Sequence, residues 1–281
     1  MGIVNTEQAE FWASMAPTWV ELEARLESTA GLPGRLAMDL LQLEPGQRVM
    51  ELGCGTGATI LGLAERVGPD GTVVGIDIAE EMLDEARRRA ADAGARNVTF
   101  VHADVQAHDL GETSYDAAFS RFGVMFYSDP HAAFANVRRA IRPGGRLAFV
   151  CWQNVFANEW MLVPGMAVMS VTGTPPSMPE PGAPGPFSLC EPERVHSILE
   201  AAGFVDLDVS PYNDVITSPQ DEIAAHAAVA VQVGAAREAL KDADDATKEK
   251  AYQAVVDAYG RKVEDGELRL SRGVLLVTAR S

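Results

Sequence analysis

The chain has 281 residues, 47% hydrophobic and 22% charged, enough to bury a six- or seven-stranded sheet with helices on both faces. Its 23 Lys and Arg stand against 40 Asp and Glu, a net charge of −17. The one basic triplet, Arg87, Arg88 and Arg89, falls on a predicted helix, so nucleic acid and anionic membranes are poor partners.

The first ten residues carry neither a basic nor an apolar leader region, and no stretch approaches the ~18 apolar residues of a membrane span; the cytoplasm is the expected compartment. Residues 1–45 read as a helical cap. Phe11, Trp12, Met15, Trp19, Leu22 and Leu26 recur at helical spacing, and Leu36, Leu40 and Leu41 form a second stripe that ends at Glu44-Pro45-Gly46. Residues 46–152 then alternate. Strands are expected over 48–52, 72–76 and 98–102, a fourth ending at 117–120 and a fifth over 146–151, with helices over 59–67, 80–93 and 130–141. Gly68-Pro69-Asp70-Gly71, Gly94 and Pro143-Gly144-Gly145 supply the turns. Such alternation predicts a parallel sheet with right-handed crossovers. Two segments interrupt it. Residues 153–190 hold many Pro and Gly around Met161, Met166, Met169 and Met178 and read as a lid, whereas residues 218–265 are Ala-rich and helical. Between them, 191–217 supplies a core helix and a strand over 204–209, and 266–281 closes with a buried strand through Val274, Leu275, Leu276 and Val277. Cys54, Cys151 and Cys190 are odd in number and far apart, which reads as three free thiols.

The chemistry starts at Val49-Met50-Glu51-Leu52-Gly53-Cys54-Gly55-Thr56-Gly57-Ala58, a strand running into glycines and then a helix. Glycine lets backbone N–H groups approach a ligand that a Cβ would block, and it accepts positive φ. Gly53, Gly55 and Ala58 also satisfy a dinucleotide-binding spacing, so a tight strand–helix turn, a dinucleotide site and another nucleoside site all remain open here. Asp77 lies twenty residues beyond Gly57, at the end of the second strand. A carboxylate there can accept from both hydroxyls of a ribose, and it can also cap the helix beginning near Glu80.

Read together, Glu51-Leu52-Gly53-Cys54-Gly55-Thr56-Gly57 resembles the first motif of class I S-adenosylmethionine-dependent methyltransferases. Gly75-Ile76-Asp77-Ile78 followed by Glu81-Met82-Leu83 resembles that family's second strand and helix, and His102-Ala103-Asp104-Val105 the segment that meets the adenine amino group. Ser120-Arg121-Phe122-Gly123-Val124-Met125-Phe126 resembles the loop after the fourth strand in relatives of the ubiquinone/menaquinone-biosynthesis methyltransferases, and Arg142-Pro143-Gly144-Gly145 the turn before strand five. The resemblance covers residues 11–152 well, and the rest through a helix and two strands. It implies a Rossmann-like, doubly wound α/β sheet of seven strands, mostly parallel with an antiparallel last strand, plus helical lid insertions. It implies S-adenosyl-L-methionine as cofactor, with Gly53, Gly55, Thr56 and Gly57 lining its methionine and ribose parts. Asp77 would hold the ribose beside Ile78, Asp104 and Val105 would bracket the adenine amino group, and Ser120 would stand near the sulfonium. Trp12 and Trp19 match aromatic positions that precede the core; packing on the sheet is the preferred reading for either, with one covering the cofactor as the alternative.

Methyl transfer from a sulfonium is an in-line displacement for which the protein supplies mainly binding and orientation. No triad is therefore required, and none is present. His102 and His131 fall in core elements and read as structural; His226 is the catalytic candidate. The loop after strand four is not Asn/Asp-Pro-Pro-Tyr/Phe, which counts against methylation of exocyclic amines, and Ser120-Arg121 offers no oxygen cage for Mg²⁺, so no metal is expected. Arg121 reads as the partner of a carboxylate. The substrate candidates are Arg121, Phe122, Trp152 and Trp160; with Phe156 and the methionines of 153–190, the aromatics read either as an adaptable apolar roof or, at least equally, as packing of a helix onto the sheet. The expected substrate is a small, partly apolar molecule such as a phenol, an enolate or an amine, and the expected assembly a monomer or homodimer. The rival readings are an NAD-dependent oxidoreductase and a cofactor-binding module without methyl transfer.

Overall fold

In the computed structural model, which describes residues 2–175 and 182–281, a long helix α1 (Thr6–Leu40) leads into the alternating region. Met178 lies outside the described residues. The apolar runs become β1 (Arg48–Leu52), β2 (Thr72–Asp77), β3 (Val98–His102), β4 (Tyr115–Arg121) and β5 (Ile141–Trp152), joined through α2 (Ile60–Val67), α3 (Glu80–Asp92) and α4 (Pro130–Ala140). β1 pairs in parallel with β2 and β4, β2 with β3, and β4 with β5. After α5 (Glu159–Thr172) and α6 (Pro192–Ala201) comes β6 (Val205–Pro219), then α7 (Ile223–Ala230), α8 (Gly234–Leu240) and α9 (Asp245–Gly260), then the two-residue β7 (Val263–Glu264) and β8 (Glu267–Arg280).

β8 runs antiparallel between β5 and β6, giving the order β3-β2-β1-β4-β5-β8-β6, and β7 forms a short hairpin on β8. The seven-stranded sheet with an antiparallel last strand is thus present, with β7 as a small addition. From β1 the chain winds outward to β3 on one side and through β4 to β5 on the other. Right-handed crossovers then place α2 and α3 on one face and α4 on the other, and the reversal between β1 and β4 leaves a crevice beyond the carboxyl ends of the strands. The antiparallel β8 breaks the second parallel unit that a dinucleotide-binding sheet would need. Phe119, Phe134 and Phe149 are fully buried at the centre of this core, each contributing ~2–3 kcal/mol of burial.

Three features differ from the sequence reading. The N-terminal region is one helix, although it contains Pro17 and Pro33. Pro33 lacks the N–H that would bond the Thr29 carbonyl; Nη1 of the buried Arg272 donates to that carbonyl instead, at 2.5 Å. β6 continues to Pro219 rather than ending at residue 209. Pro211 is tolerated within it because β6 is an edge strand with β8 as its neighbour. His102, at the end of β3, and His131, on α4, are both exposed rather than part of the core. The Ala-rich segment forms α7, α8 and α9, which pack with α5 and with Leu268 and Leu270 of β8 into a second hydrophobic cluster. Among the described residues no helix is long and apolar enough to cross a membrane.

Candidate functional site

The glycine loop crosses the end of β2, where the Gly53 and Cys54 amides both donate to the Ile76 carbonyl (2.8 and 3.1 Å). Gly53, Gly55 and Gly57 have φ of +67°, +53° and +77°, a region where other L residues are strained. A Cβ on Gly53 would lie 2.9 Å from the Gly123 Cα, and one on Gly57 would lie 3.0 Å from the Ala86 Cβ, whereas one on Gly55 meets nothing within 4 Å. Gly53 and Gly57 therefore answer to packing. Gly55 faces an open cradle where a ligand can reach backbone.

Asp77 and His102 are register partners at the ends of β2 and β3, so Asp77 and Asp104 leave adjacent strands. One Asp77 oxygen accepts from the Gly55 amide (2.7 Å) and the other from the Ala79 amide (3.0 Å). The residue thus braces both the glycine loop and the start of α3. Burial pushes its pKa up, against the pull of these amides. Ile78 is half-buried and its carbonyl pairs with His102 Nε2 at 2.9 Å. The Asp104 carboxylate accepts from the Val4, Asn5 and Gln106 amides at 3.1, 2.9 and 3.0 Å. Val105 is buried, and its carbonyl accepts from Asn136 Nδ2 at 2.7 Å. Thr56 is buried, with its hydroxyl 3.4 Å from Glu23 of α1.

α1 roofs this crevice. Asn5 Nδ2 donates to the Phe126 carbonyl at 2.9 Å, and Trp12 meets the Phe126 ring edge-on at 4.9 Å. Met15 and Ala16 pack on Ala79 and Met82 with Trp12 and Trp19 alongside; the two tryptophans thus cover the junction of β2 and α3. One turn apart, Glu23 pairs with Arg89 and Glu27 with Arg121 (2.6 Å each).

The residues proposed for the acceptor side divide. Ser120 is fully buried; its hydroxyl donates to the Leu52 carbonyl at 2.7 Å and accepts from the Gly123 amide at 3.3 Å. It ties the loop after β4 to β1 and does not face the crevice as an open group. Arg121 is spent on Glu27, a structural acid, and its stem lies so close to Gly34 that a Cβ there would meet it at 2.4 Å. Phe122, at φ +60°, stacks on Trp152 with centroids 3.9 Å apart and planes 10° apart, and Trp152 meets Trp160 at 4.9 Å. Trp160 touches both hydrophobic clusters, which makes this aromatic row a bridge between them. Phe156 is largely exposed. His226 Nε2 is buried without a hydrogen-bond partner, 3.7 Å from Glu222, and burial lowers its pKa.

Glu51 lies within the glycine motif, and its sequence position alone assigns it no role. It is fully buried beneath the glycine loop, with one oxygen on the Thr59 hydroxyl and Oε2 unpartnered. Burial pushes its pKa up to about 7, against the Thr59 bond and the charge of Arg121. An acid inside a strand otherwise made of Val49, Met50 and Leu52 is the signal that could have marked it. A buried carboxylate oxygen without a partner, an open glycine cradle and two strand-end acids together suit a ligand that is cationic at one end and a nucleoside at the other.

A family model described as a methyltransferase domain matches residues 49–145. This chain is 37% identical over 116 residues to aklanonic acid methyltransferase DauC of a Streptomyces species, covering 41% of this chain and 53% of that protein. It is 33% identical over 182 residues to nocamycin O-methyltransferase of Saccharothrix syringae, covering 62% and 64%. With demethylmenaquinone methyltransferase of Listeria monocytogenes it shares 30% over 113 residues, covering 40% and 48%. The matched segments thus span between 48% and 64% of these relatives' own length. Among solved structures, a SAM dependent methyltransferase from Aquifex aeolicus superposes with a TM-score of 0.50 at 23% identity, over 69% of this chain and 89% of that one. The [4+2]-cyclase SpnF superposes with 0.54 at 20% identity, over 88% and 80%; both of these likenesses are of fold. Motif order and strand order agree with the matched domain: residues 49–145 match a methyltransferase domain, on a sheet that shares its fold with a SAM dependent methyltransferase.

Proposed function

We propose that this chain transfers a methyl group from S-adenosylmethionine to a small, partly apolar acceptor. The observation that carries the reading is the open face of Gly55, held 2.7 Å from the Asp77 carboxylate at the mouth of the crevice. In this reading residues 46–152 hold the cofactor and the segments 153–190 and 218–265 face the acceptor. When bound, the cofactor supplies a methyl group already activated on a sulfonium. The protein's part is to bind, orient and exclude water. The Gly53–Gly57 backbone and Thr56 receive the amino-acid and ribose parts, Asp77 accepts from ribose hydroxyls beside Ile78, and Asp104 with Val105 takes the adenine edge. Glu51 brings a carboxylate beneath the loop, where a nearby positive charge restores its ionised form.

On the acceptor side, Phe122, Trp152 and Trp160 offer an apolar wall, in keeping with relatives named for aklanonic acid, nocamycin and demethylmenaquinone. His226, kept neutral by burial, can take a proton from an acceptor that must lose one. Fold by itself does not decide transfer, since a [4+2]-cyclase shares it. The test is calorimetric titration with S-adenosylhomocysteine, followed by incubation of labelled S-adenosylmethionine with phenol, enolate and amine acceptors. Absence of binding overturns the reading; binding without labelled product across the panel favours a cofactor-holding module. No observation favours the nicotinamide alternative.

A further inference from the structure

Over its first half, up to Trp19, α1 meets the crevice on a face that is apolar except near its start. Trp12, Met15, Ala16 and Trp19 meet Phe126, Ala79 and Met82, and Asn5 ties the helix start to the Phe126 carbonyl and to Asp104. Gln8 lies about one turn beyond Asn5 and one turn before Trp12, on the same stripe. Its amide oxygen is buried and has no hydrogen-bond partner. Tyr127 follows Phe126, the residue that both Asn5 and Trp12 touch. Its ring packs edge-on against Phe134 at 6.0 Å, and its hydroxyl is likewise buried without a partner. Burial, then the charges of Asp104 and Asp77, holds this phenol well above its ordinary pKa. The hydroxyl therefore keeps its proton and lies within the field of both carboxylates. Unpartnered buried polar atoms are costly and uncommon. Two of them occur here, where α1 meets the loop after β4, beside the acids that leave β2 and β3.

Building on the methyltransferase reading, we infer that Gln8 and Tyr127 complete the nucleoside site and hydrogen-bond the adenosine half of the cofactor. An adenosine offers ring nitrogens that accept and amino and hydroxyl groups that donate. The Tyr127 hydroxyl can do either, and the Gln8 carboxamide presents both kinds of group. The two residues lie outside the glycine loop and the strand-end acids, on elements that come together only in the folded chain. Their signature is a pair of opposite effects. Without ligand each atom is an unpaid desolvation, and with ligand each makes a bond; a tyrosine or glutamine that serves only structure would behave in the reverse sense.

Tyr127→Phe and Gln8→Leu test this, with Gln8→Met as the closer match in shape should Leu not be accommodated. Each variant is titrated with S-adenosylhomocysteine and with 5′-methylthioadenosine, which keeps the adenosine and lacks the amino-acid end. We expect each variant to bind both ligands about 3- to 10-fold more weakly, while its ligand-free melting temperature holds or rises by about 1–4 °C. Unchanged affinity for both ligands overturns the inference. So does a loss confined to S-adenosylhomocysteine, which would put these residues at the amino-acid end, or a ligand-free melting temperature that falls. Wild-type protein that binds neither ligand overturns the methyltransferase reading itself; bound wild type with unaltered variants overturns the inference alone.

Discussion

The two hydrophobic clusters are built from different material. Around β1 to β5, bulky Phe119, Phe134 and Phe149 are locked between sheet and helices, and the polar groups of the crevice leave the carboxyl ends of those strands. The cluster of α5, α7, α8 and α9 rests on Ala167, Ala227, Ala230, Ala236, Ala251 and Ala258 with Leu240, Val255 and Tyr259, and it reaches the sheet through Leu268 and Leu270. Alanine removes little surface from water, so the second cluster, with six alanines among its thirteen buried residues, gains less apolar burial per residue than the first. The contrast predicts that the second cluster opens locally more readily than the first, which carries the motif residues.

The strongest way to break that contrast is to hollow each cluster in turn. Phe149→Ala should cost ~3–5 kcal/mol and take S-adenosylhomocysteine binding with it. Leu268→Ala should cost ~2–5 kcal/mol and leave the dissociation constant almost unchanged. Chemical denaturation paired with calorimetric titration reads both; equal loss of binding in the two variants would make the clusters one unit.

The buried acid of the first cluster provides the next test. Glu51 titrates near 7 in the fold against an ordinary 4.5, so the folded chain keeps a proton that the unfolded chain releases. The stability permitted by the neutral acid is complete below about pH 4.5 and falls as pH rises toward 7, by up to ~3 kcal/mol. Glu51→Gln should remove this slope and gain on wild type between pH 5 and pH 8 in urea melts. A slope that survives the substitution assigns it to another group.

Asp77→Ala should weaken S-adenosylhomocysteine binding ~10- to 100-fold, the range for hydrogen bonds to a charged group, with smaller effect on the second cluster than on the glycine loop. Hydrogen exchange localises that effect, and unchanged affinity removes Asp77 from the ligand. The smallest effect belongs to the roof. Glu27→Gln breaks the pair with Arg121 and should loosen α1 by under ~1 kcal/mol, less at high salt, seen as faster proteolysis within residues 6–40.

What the sequence made legible was local. The strands β1 to β5, their helices and the glycine turns follow from apolar periodicity and from Gly and Pro acting within a few residues, and Asp77 and Asp104 sit at strand ends that the same pattern defines. What it hid depends on distant chain. How one helix runs through Pro17 and Pro33 depends on Arg272, far along the chain, which takes the carbonyl that Pro33 frees. Pro211 hid the length of β6 because its tolerance depends on β6 being an edge strand. Arg121 could not be assigned without Glu27, nor Ser120 without the Leu52 carbonyl that it binds. Glu51 was visible as a residue, but its missing partner is a property of the packed interior.

The place of β8 between β5 and β6 also has a consequence for biosynthesis. β6 has β8 as its sheet neighbour, and the ribosome delivers α7, α8 and α9 before β8. For that interval β6 is a fifteen-residue strand without its hydrogen-bonding mate, a state that invites pairing with another chain. The three intervening helices rely on local contacts and form fast, which brings the site of β8 close before β8 arrives. The Asp, Ser, Pro and Asn residues spaced along β6 are suited to keeping an unaccompanied strand in solution until its partner is made.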